Sequence, residues 1–157
     1  MSNISFSHKI NPLWDSVKMI REEVESSLKM YKEELAEASK MTASELIENA
    51  VKHGSSPDNG SGIQFEFSAN SSRIKMEIIN KINSEEDYEV LKDNIDQIRS
   101  SDNPEELYIS RLCELMEDTK LNKSRLGLFR IAYEGEFKLN YTFENNIVTV
   151  VAVRDIS

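Results

Sequence analysis

Two pairs of alternating segments constrain the fold of this chain more than any other feature. In the first pair, apolar residues occupy every second position over 63–69 and over 74–78, with a polar turn at 70–72. In the second pair, the alternation covers 137–143, and a turn at 145–146 returns the chain as a strongly apolar run. A period of two interrupted by short polar turns is typical of β-hairpins. We therefore predict two hairpins.

The N-terminal part predicts an edge strand followed by helices. Residues 4–10, ISFSHKI, alternate as a short strand does. We expect Asn11 to cap a long helix that begins at Pro12 and runs through Leu35. We expect EASKMT to break this helix and a second helix to begin at Thr42, with Gly54 just past its end. The apolar stripe of the long helix is Leu13, Val17, Ile20, Val24, Leu28, Tyr31 and Leu35.

Between the hairpins, the pattern predicts three more helices. Ser84-Glu85-Glu86-Asp87 is a capping-box start for a helix over 84–99. A second helix is expected over 103–119 and a short one from 126 to about Tyr133. We expect the second helix to turn four apolar side chains inward and to bury the thiol of Cys113 beside them. Those four are Leu107, Leu112, Leu115 and Met116.

These elements predict an α+β fold. The expected architecture is a two-layer α/β sandwich, in which helices cover one face of a mostly antiparallel sheet. The length of 157 residues fits one domain over 1–157, and the polar stretch 55–62 reads as a loop inside it.

Composition excludes several classes of function. The net charge of −9 argues against nucleic-acid binding, which needs clustered Lys and Arg. No apolar run is long enough to cross a membrane, and the N-terminus does not resemble a signal peptide. Cys113 is the only cysteine, so no internal disulfide can form. We expect a cytoplasmic protein.

One helical stripe carries candidate functional residues. Glu45, Asn49 and Lys52 stand at i, i+4 and i+7, which places them on one side of a helix. A phosphate-handling site needs an oxygen ligand for a metal ion, a carboxylate for the attacking nucleophile and a cation for phosphate charge. These three residues fit those roles, although a solvated helix face would show the same pattern.

The stretch Glu45 to Gly54, ELIENAVKHG, resembles the N-box helix of the GHKL (Bergerat-fold) ATPases and is most similar to the anti-sigma-factor serine kinases. The resemblance implies a histidine-kinase-like ATPase fold that uses ATP and Mg²⁺. It implies that Asn49 binds Mg²⁺ and that Glu45 acts as the base. It also implies that Lys52 lies near the phosphates, and His53 matches a histidine common in the anti-sigma branch.

A second stretch, Ser124 to Phe129, resembles the G2 box of the same family, of which one glycine remains. A loop that meets a helix at Gly127 can present backbone N–H groups to phosphate. Arg125 and Lys123 could add positive charge there.

The chain departs from the family where the adenine-binding D-x-G-x-G motif is expected. Asn80 stands in place of the Asp, and Ile82 in place of the first glycine. Two extra helices, 84–99 and 103–119, replace the usual lid. This arrangement resembles the SiaB-type protein kinases, small GHKL-like proteins that phosphorylate a partner in a bacterial partner-switching system.

Several of these residues have plainer explanations. Thr42-Ala43-Ser44-Glu45 is itself a capping box, so Glu45 could serve a helix start. Lys52 and His53 could complement a helix C-terminus, and Asn80 could be an ordinary turn residue. Arg125 could pair with the acidic surface around Glu114 and Glu117, and the acidic helices 84–119 could be a solvated face or a docking surface.

Three hypotheses about function follow. In the first, the chain is an ATP- and Mg²⁺-dependent serine/threonine protein kinase acting on a small STAS-like antagonist protein, as the resemblance implies. In the second, it is a degenerate module of the same fold that sequesters a protein partner without ATP. In the third, it senses ATP and modifies nothing. A homodimer is also possible, since the strand at 4–10 offers a free edge.

Overall fold

The computed structural model describes residues 3–10, 14–53, 63–82, 84–117 and 126–156. Five strands and five helices lie in these ranges. The order along the chain is β1 (Ile4–Lys9), α1 (Trp14–Ser27), α2 (Glu33–His53), β2 (Gln64–Ala69), β3 (Arg73–Lys81), α3 (Glu85–Ser100), α4 (Pro104–Glu117), α5 (Leu126–Tyr133), β4 (Lys138–Glu144) and β5 (Ile147–Asp155).

The strands form one antiparallel sheet in the order β1-β2-β3-β5-β4. Both predicted hairpins are present, as β2–β3 and β4–β5, and β1 is an edge strand as expected. Burial alternates along β2 and β3, so one face of the sheet is covered and the other meets solvent. The predicted α+β two-layer sandwich is confirmed.

Local side-chain chemistry explains both hairpin turns. In β2–β3, the Asn70 side-chain oxygen accepts hydrogen bonds from the backbone N–H of Ser72 and Arg73 at 2.8 and 3.0 Å. In β4–β5, Asn145 and Asn146 have φ of 54° and 65°, the positive values that a two-residue type I′ turn requires. Asn tolerates this conformation better than most residues do, so the turn suits its sequence.

The core lies between the covered sheet face and the helices. The sheet contributes Phe65, Phe67, Ile74, Met76 and Ile78, all buried. Facing helical residues include Ile20 and Val24 of α1, Leu46 and Ile47 of α2, Ile95 of α3, and Leu128 and Ile131 of α5. This packing fixes which side of α2 faces inward, and therefore where its polar stripe points.

The predicted helix boundaries in the N-terminal half are wrong. The first helix ends at Ser27 instead of reaching Leu35, and α2 begins at Glu33 instead of Thr42. The Tyr31 hydroxyl donates to the backbone carbonyl of Asn70 at 2.7 Å, so a tertiary contact holds the turn between the helices. The segment EASKMT lies inside α2, where Ser39 and Thr42 are buried. A Cβ added to Gly135 would lie 2.8 Å from the Thr42 hydroxyl oxygen.

The predicted orientation of α4 is wrong in part. Leu115 is buried and Leu107 is half-buried, as expected, but Leu112, Met116 and Cys113 are exposed. The guanidinium of Arg111 instead lies 5.3 Å from the ring centroid of Phe129 on α5, on the inner side of the helix. A cation over an aromatic face is a favourable contact. With Arg111 on the inner side of α4, part of the apolar face of the helix points to solvent.

The Ser84 cap of α3 is confirmed. Its side chain accepts a hydrogen bond from the backbone N–H of Asp87. In the part of the chain that the structure describes, no helix is both long enough and apolar enough to cross a bilayer.

Candidate functional site

Helix α2 carries the polar stripe predicted from the sequence. Because α2 begins at Glu33, Glu45 lies about three turns inside the helix. The capping-box explanation of Glu45 therefore fails, since that role belongs to the first turn. Leu46, Ile47 and Ala50 are buried in the core, so the polar stripe of α2 lies on the side of the helix that is turned away from these three residues.

The stripe forms one wall of a cleft of about 400 Å³ between α2, α4 and α5. Three of the predicted residues on α2, Glu45, Asn49 and Lys52, face Gly127 on α5 across it. The complete lining is Glu45, Glu48, Asn49, Lys52, Tyr108, Leu126, Gly127, Arg130 and Glu134. The fold thus brings together four of the seven predicted site residues, from segments about 80 positions apart in sequence.

Gly127 and Glu45 meet at the floor of this cleft. A Cβ added to Gly127 would lie 2.1 Å from Glu45 Oε2 and 3.2 Å from its Cδ. Real side chains do not approach so closely, so the carboxylate occupies the space that a larger residue at 127 would fill. The backbone of Gly127 has a conformation that other residues also adopt. The reason for a glycine at this position is therefore the close approach of the Glu45 carboxylate.

The Glu45 carboxyl has a perturbed acidity. Burial raises its pKa, and the negative charge of Glu48 raises the pKa further. Arg130 acts in the opposite direction, since its Nη1 donates to Glu45 Oε1 at 3.2 Å. The balance leaves the pKa of Glu45 above the ordinary value for a glutamate. A carboxylate with a raised pKa, held in a cleft, is suited to accepting a proton.

Asn49 is buried, and its side-chain oxygen has no hydrogen-bond partner among the described residues. A buried amide oxygen left without a partner loses the hydrogen bonds that water would supply. Asn also has a low helix propensity, so it is not expected in mid-helix without a reason. A bound metal ion would satisfy this oxygen, because Mg²⁺ takes oxygen ligands.

The remaining predicted residues fall into three groups. The ammonium-bearing Lys52 is exposed at the mouth of the cleft. The side chain of His53, together with Lys123 and Arg125, lies outside the described residues. Asn80 and Ile82, at the end of β3, are both buried and do not line the cleft. The Ile82 backbone N–H donates to the Asn146 carbonyl at 2.9 Å, which ties the strand end to the second hairpin.

Sequence reasoning missed two charged residues of the cleft, Arg130 on α5 and Glu134 directly after it. Arg130 bridges Glu45 and Glu134, and its Nε donates to Glu134 Oε2 at 2.6 Å. Both residues line the cleft, as does Tyr108 from α4. The signal was available, because Arg130 is the only charged residue in the eight-residue helix LGLFRIAY and Glu134 stands four positions later.

Comparison with protein-family profiles and with curated protein sequences yields no match. Several solved structures are similar in fold. A chain of the SiaB–SiaC complex from Pseudomonas aeruginosa superposes with a TM-score of 0.67 at 14% identity, covering 96% of this chain and 88% of that one. The RsbU and RsbW domains of Rv1364c from Mycobacterium tuberculosis give a TM-score of 0.54 at 12% identity, covering 96% of this chain and 32% of that one.

These similarities show the fold. The chain shares the α+β two-layer fold of these two structures, and that fold is the one expected from the N-box and G2-box resemblances.

Proposed function

We propose that this chain is a GHKL-type regulator with serine/threonine protein kinase activity, dependent on ATP and Mg²⁺. The observation that carries the proposal is the meeting of Glu45, Asn49, Lys52 and Gly127 in one cleft. A stripe on a solvated helix face would have no reason to lie against a glycine of another helix. Nor would it need a buried amide oxygen without a partner.

The described residues fit the phosphate end of a nucleotide. Asn49 would hold Mg²⁺ through its free side-chain oxygen, and Lys52 and Arg130 would offset phosphate charge. The first turn of α5 at Gly127 offers backbone N–H groups at a helix start. Bound ATP would supply the phosphoryl group, which transfers through positioning and electrostatic stabilisation more than through covalent help from the protein.

Glu45 would orient the hydroxyl of the acceptor and take its proton. Its raised pKa favours proton acceptance near neutral pH more than an ordinary glutamate does. The bond from Arg130 fixes the direction of the carboxylate, because it engages Oε1 while Oε2 points toward Gly127. Arg130 is in turn held by Glu134, which limits its freedom to move.

The proposed substrate is a small STAS-like antagonist protein in a bacterial partner-switching pathway in the cytoplasm. The support is the fold shared with a chain of the SiaB–SiaC complex, a structure in which one protein is held with another. Partner switching requires a surface for a second protein as well as a nucleotide site.

A second candidate is a binding module that keeps the fold and does not use ATP. Asn80 and Ile82 favour it, because the strand end that should contact adenine is packed into the core. The two candidates make opposite predictions for nucleotide binding.

The test is a titration with a fluorescent ATP analogue, with and without Mg²⁺. We expect saturable, Mg²⁺-dependent binding that Asn49→Ala abolishes. The matched control Asn140→Ala, on the exposed edge strand β4, should bind normally. Absence of binding at millimolar nucleotide would overturn the kinase proposal and leave the binding module.

A transfer assay then separates a kinase from a sensor of ATP. Purified STAS-like proteins from the same organism would be incubated with γ-labelled ATP. Glu45→Gln should retain nucleotide binding and lose transfer by 100-fold or more, as expected when a general base is removed. Binding without transfer to any acceptor by the wild-type protein would refute kinase activity.

A further inference from the structure

Helix α4 has two faces of different character. Its inner face packs against α5 through Tyr108, whose ring centroid lies 5.4 Å from that of Tyr133, and through Arg111 over Phe129. Leu115 completes this contact and is buried. These contacts fix the rotation of α4 about its own axis. They therefore determine which side chains its outer face presents to solvent.

The outer face presents an apolar stripe. Ile109, Leu112 and Met116 are 49%, 38% and 76% exposed, and Cys113 is exposed beside them. These four residues stand at i, i+3, i+4 and i+7, so they form one continuous strip, which we call the outer α4 stripe. Single exposed apolar residues are ordinary, but a strip with this spacing is typical of a helix whose face binds another protein.

The charge around the stripe is one-sided. Helix α4 (Pro104–Glu117) contains four acidic side chains and one basic side chain, a net charge of −3. On α4 itself, Glu105 and Glu106 stand at the start of the outer face and Glu117 at its end, all exposed. The one cation of α4, Arg111, is turned inward toward Phe129. An apolar centre with an acidic border is thus presented to solvent.

We propose that the outer α4 stripe is a docking surface for a partner protein that presents an apolar helix face bordered by Lys and Arg. The spacing of the four residues supplies anchors for helix packing, and Met116 is flexible enough to adapt to its contacts. The acidic border would steer a basic partner to the stripe and reject acidic ones.

The same charges argue against two other occupants. A second copy of this chain would bring one acidic border against another, and like charges facing each other are destabilising. Membranes with anionic headgroups would be repelled for the same reason. The proposal does not depend on nucleotide binding, because none of the stripe residues lines the cleft at Glu45.

The experiment uses two synthetic three-heptad helical peptides with the same Leu seam, one bordered by Lys and the other by Glu. Binding to the full-length protein is followed by fluorescence anisotropy under reducing conditions, so that Cys113 stays a thiol. We expect saturable 1:1 binding of the Lys peptide, at least tenfold tighter than that of the Glu peptide. Its affinity should fall roughly tenfold between low and physiological salt.

Variants separate the stripe from its charge. Leu112→Ser with Met116→Ser leaves the charge unchanged and should weaken binding of the Lys peptide at least tenfold. The charge variant Glu105→Gln, Glu106→Gln and Glu117→Gln leaves the stripe intact and should abolish the preference for Lys. The control is Met30→Ser, at an even more exposed methionine outside α4, and it should bind normally.

Three results would overturn the proposal. Equal binding of both peptides would show that charge does not select the partner. Unchanged binding by the stripe variant would show that the Lys peptide adheres to acidic surface without docking. Self-association of the wild-type protein that the stripe variant abolishes, seen by sedimentation, would assign the stripe to a second copy.

Discussion

Gly127→Ala tests the contact on which the cleft is built. The added Cβ would lie 2.1 Å from Glu45 Oε2, so it requires the carboxylate to move by more than about 1 Å to reach ordinary contact distance. Only the end of a flexible side chain is in the way, and the helix should still form. The main consequence is therefore a displaced Glu45 that loses its bond from Arg130.

The magnitude follows from two opposing effects. Alanine is favoured over glycine in a helix by up to about 1 kcal/mol, and by less near a helix end. Against this stand a lost hydrogen bond of about 1 kcal/mol and a strained Glu45 rotamer of about 1 kcal/mol. Gly127→Ala should thus lower the free energy of unfolding by about 1.5 kcal/mol, which corresponds to a melting temperature about 3–6 °C lower in a chain of this length.

The assay is a double-mutant cycle with Glu45→Ala, measured by urea denaturation. Without the carboxylate the added Cβ has room, so Gly127→Ala should then stabilise the protein by about 0.5 kcal/mol. The coupling between the two sites should be about 2 kcal/mol. If Gly127→Ala changes stability equally in both backgrounds, the two residues do not meet and the cleft is not as described.

Two further predictions concern the cleft and the fold. The pKa of Glu45 is raised in the folded state, so the native protein holds this proton more tightly than the unfolded chain does. The contribution of Glu45 to stability therefore falls as the pH rises from the pKa of Glu45 in the unfolded chain through its pKa in the folded protein. The advantage of Glu45→Gln over wild type in urea denaturation should therefore grow with pH across that window, and a constant difference would contradict the raised pKa. Asn146→Gly should stabilise the β4–β5 turn and Asn146→Ala should destabilise it, by about 0.5–1 kcal/mol each, since φ is 65° there; equal melting temperatures would argue against the type I′ turn.

The sequence was sufficient where local chemistry decides the structure. Both hairpins and the Ser84 cap were predicted, because alternation, turn residues and capping boxes act over a few positions. The break between α1 and α2 was misplaced because no Gly or Pro marks it. It is held by Tyr31 reaching the carbonyl of Asn70, a contact that only the folded chain contains.

In the candidate site too, residues set by local sequence patterns could be predicted, and residues placed by tertiary packing could not. Glu45, Asn49 and Lys52 were found because their spacing is local to one helix, and Gly127 because of a family motif. Arg130 and Glu134 were missed because their position depends on how α5 crosses α2. The phase of α4 was misjudged because apolar residues were expected inward, whereas Arg111 packs over Phe129 and leaves Leu112 exposed.

The packing at the end of β3 leads to a prediction about the preference of the protein for one nucleotide base over another. Ile82 is 6% exposed within the core, and its N–H is bonded to Asn146, so its place in the structure is a packing role. Removing a buried side chain of this size costs roughly 2–5 kcal/mol, which means that Ile82→Gly would damage the fold more than it would open a pocket. Recognition of a base by this strand end is therefore not expected.

Binding would instead rest on the phosphate end, through Asn49, Lys52 and the start of α5. ATP and GTP share that end and differ only in the base. We expect the two Mg²⁺-nucleotides to compete for the protein with affinities within about fivefold, or about 1 kcal/mol. Competition against the fluorescent analogue measures this directly. A preference for ATP of 100-fold or more would mean that a base pocket exists beyond the described cleft, and the reasoning from Asn80 and Ile82 would then be wrong.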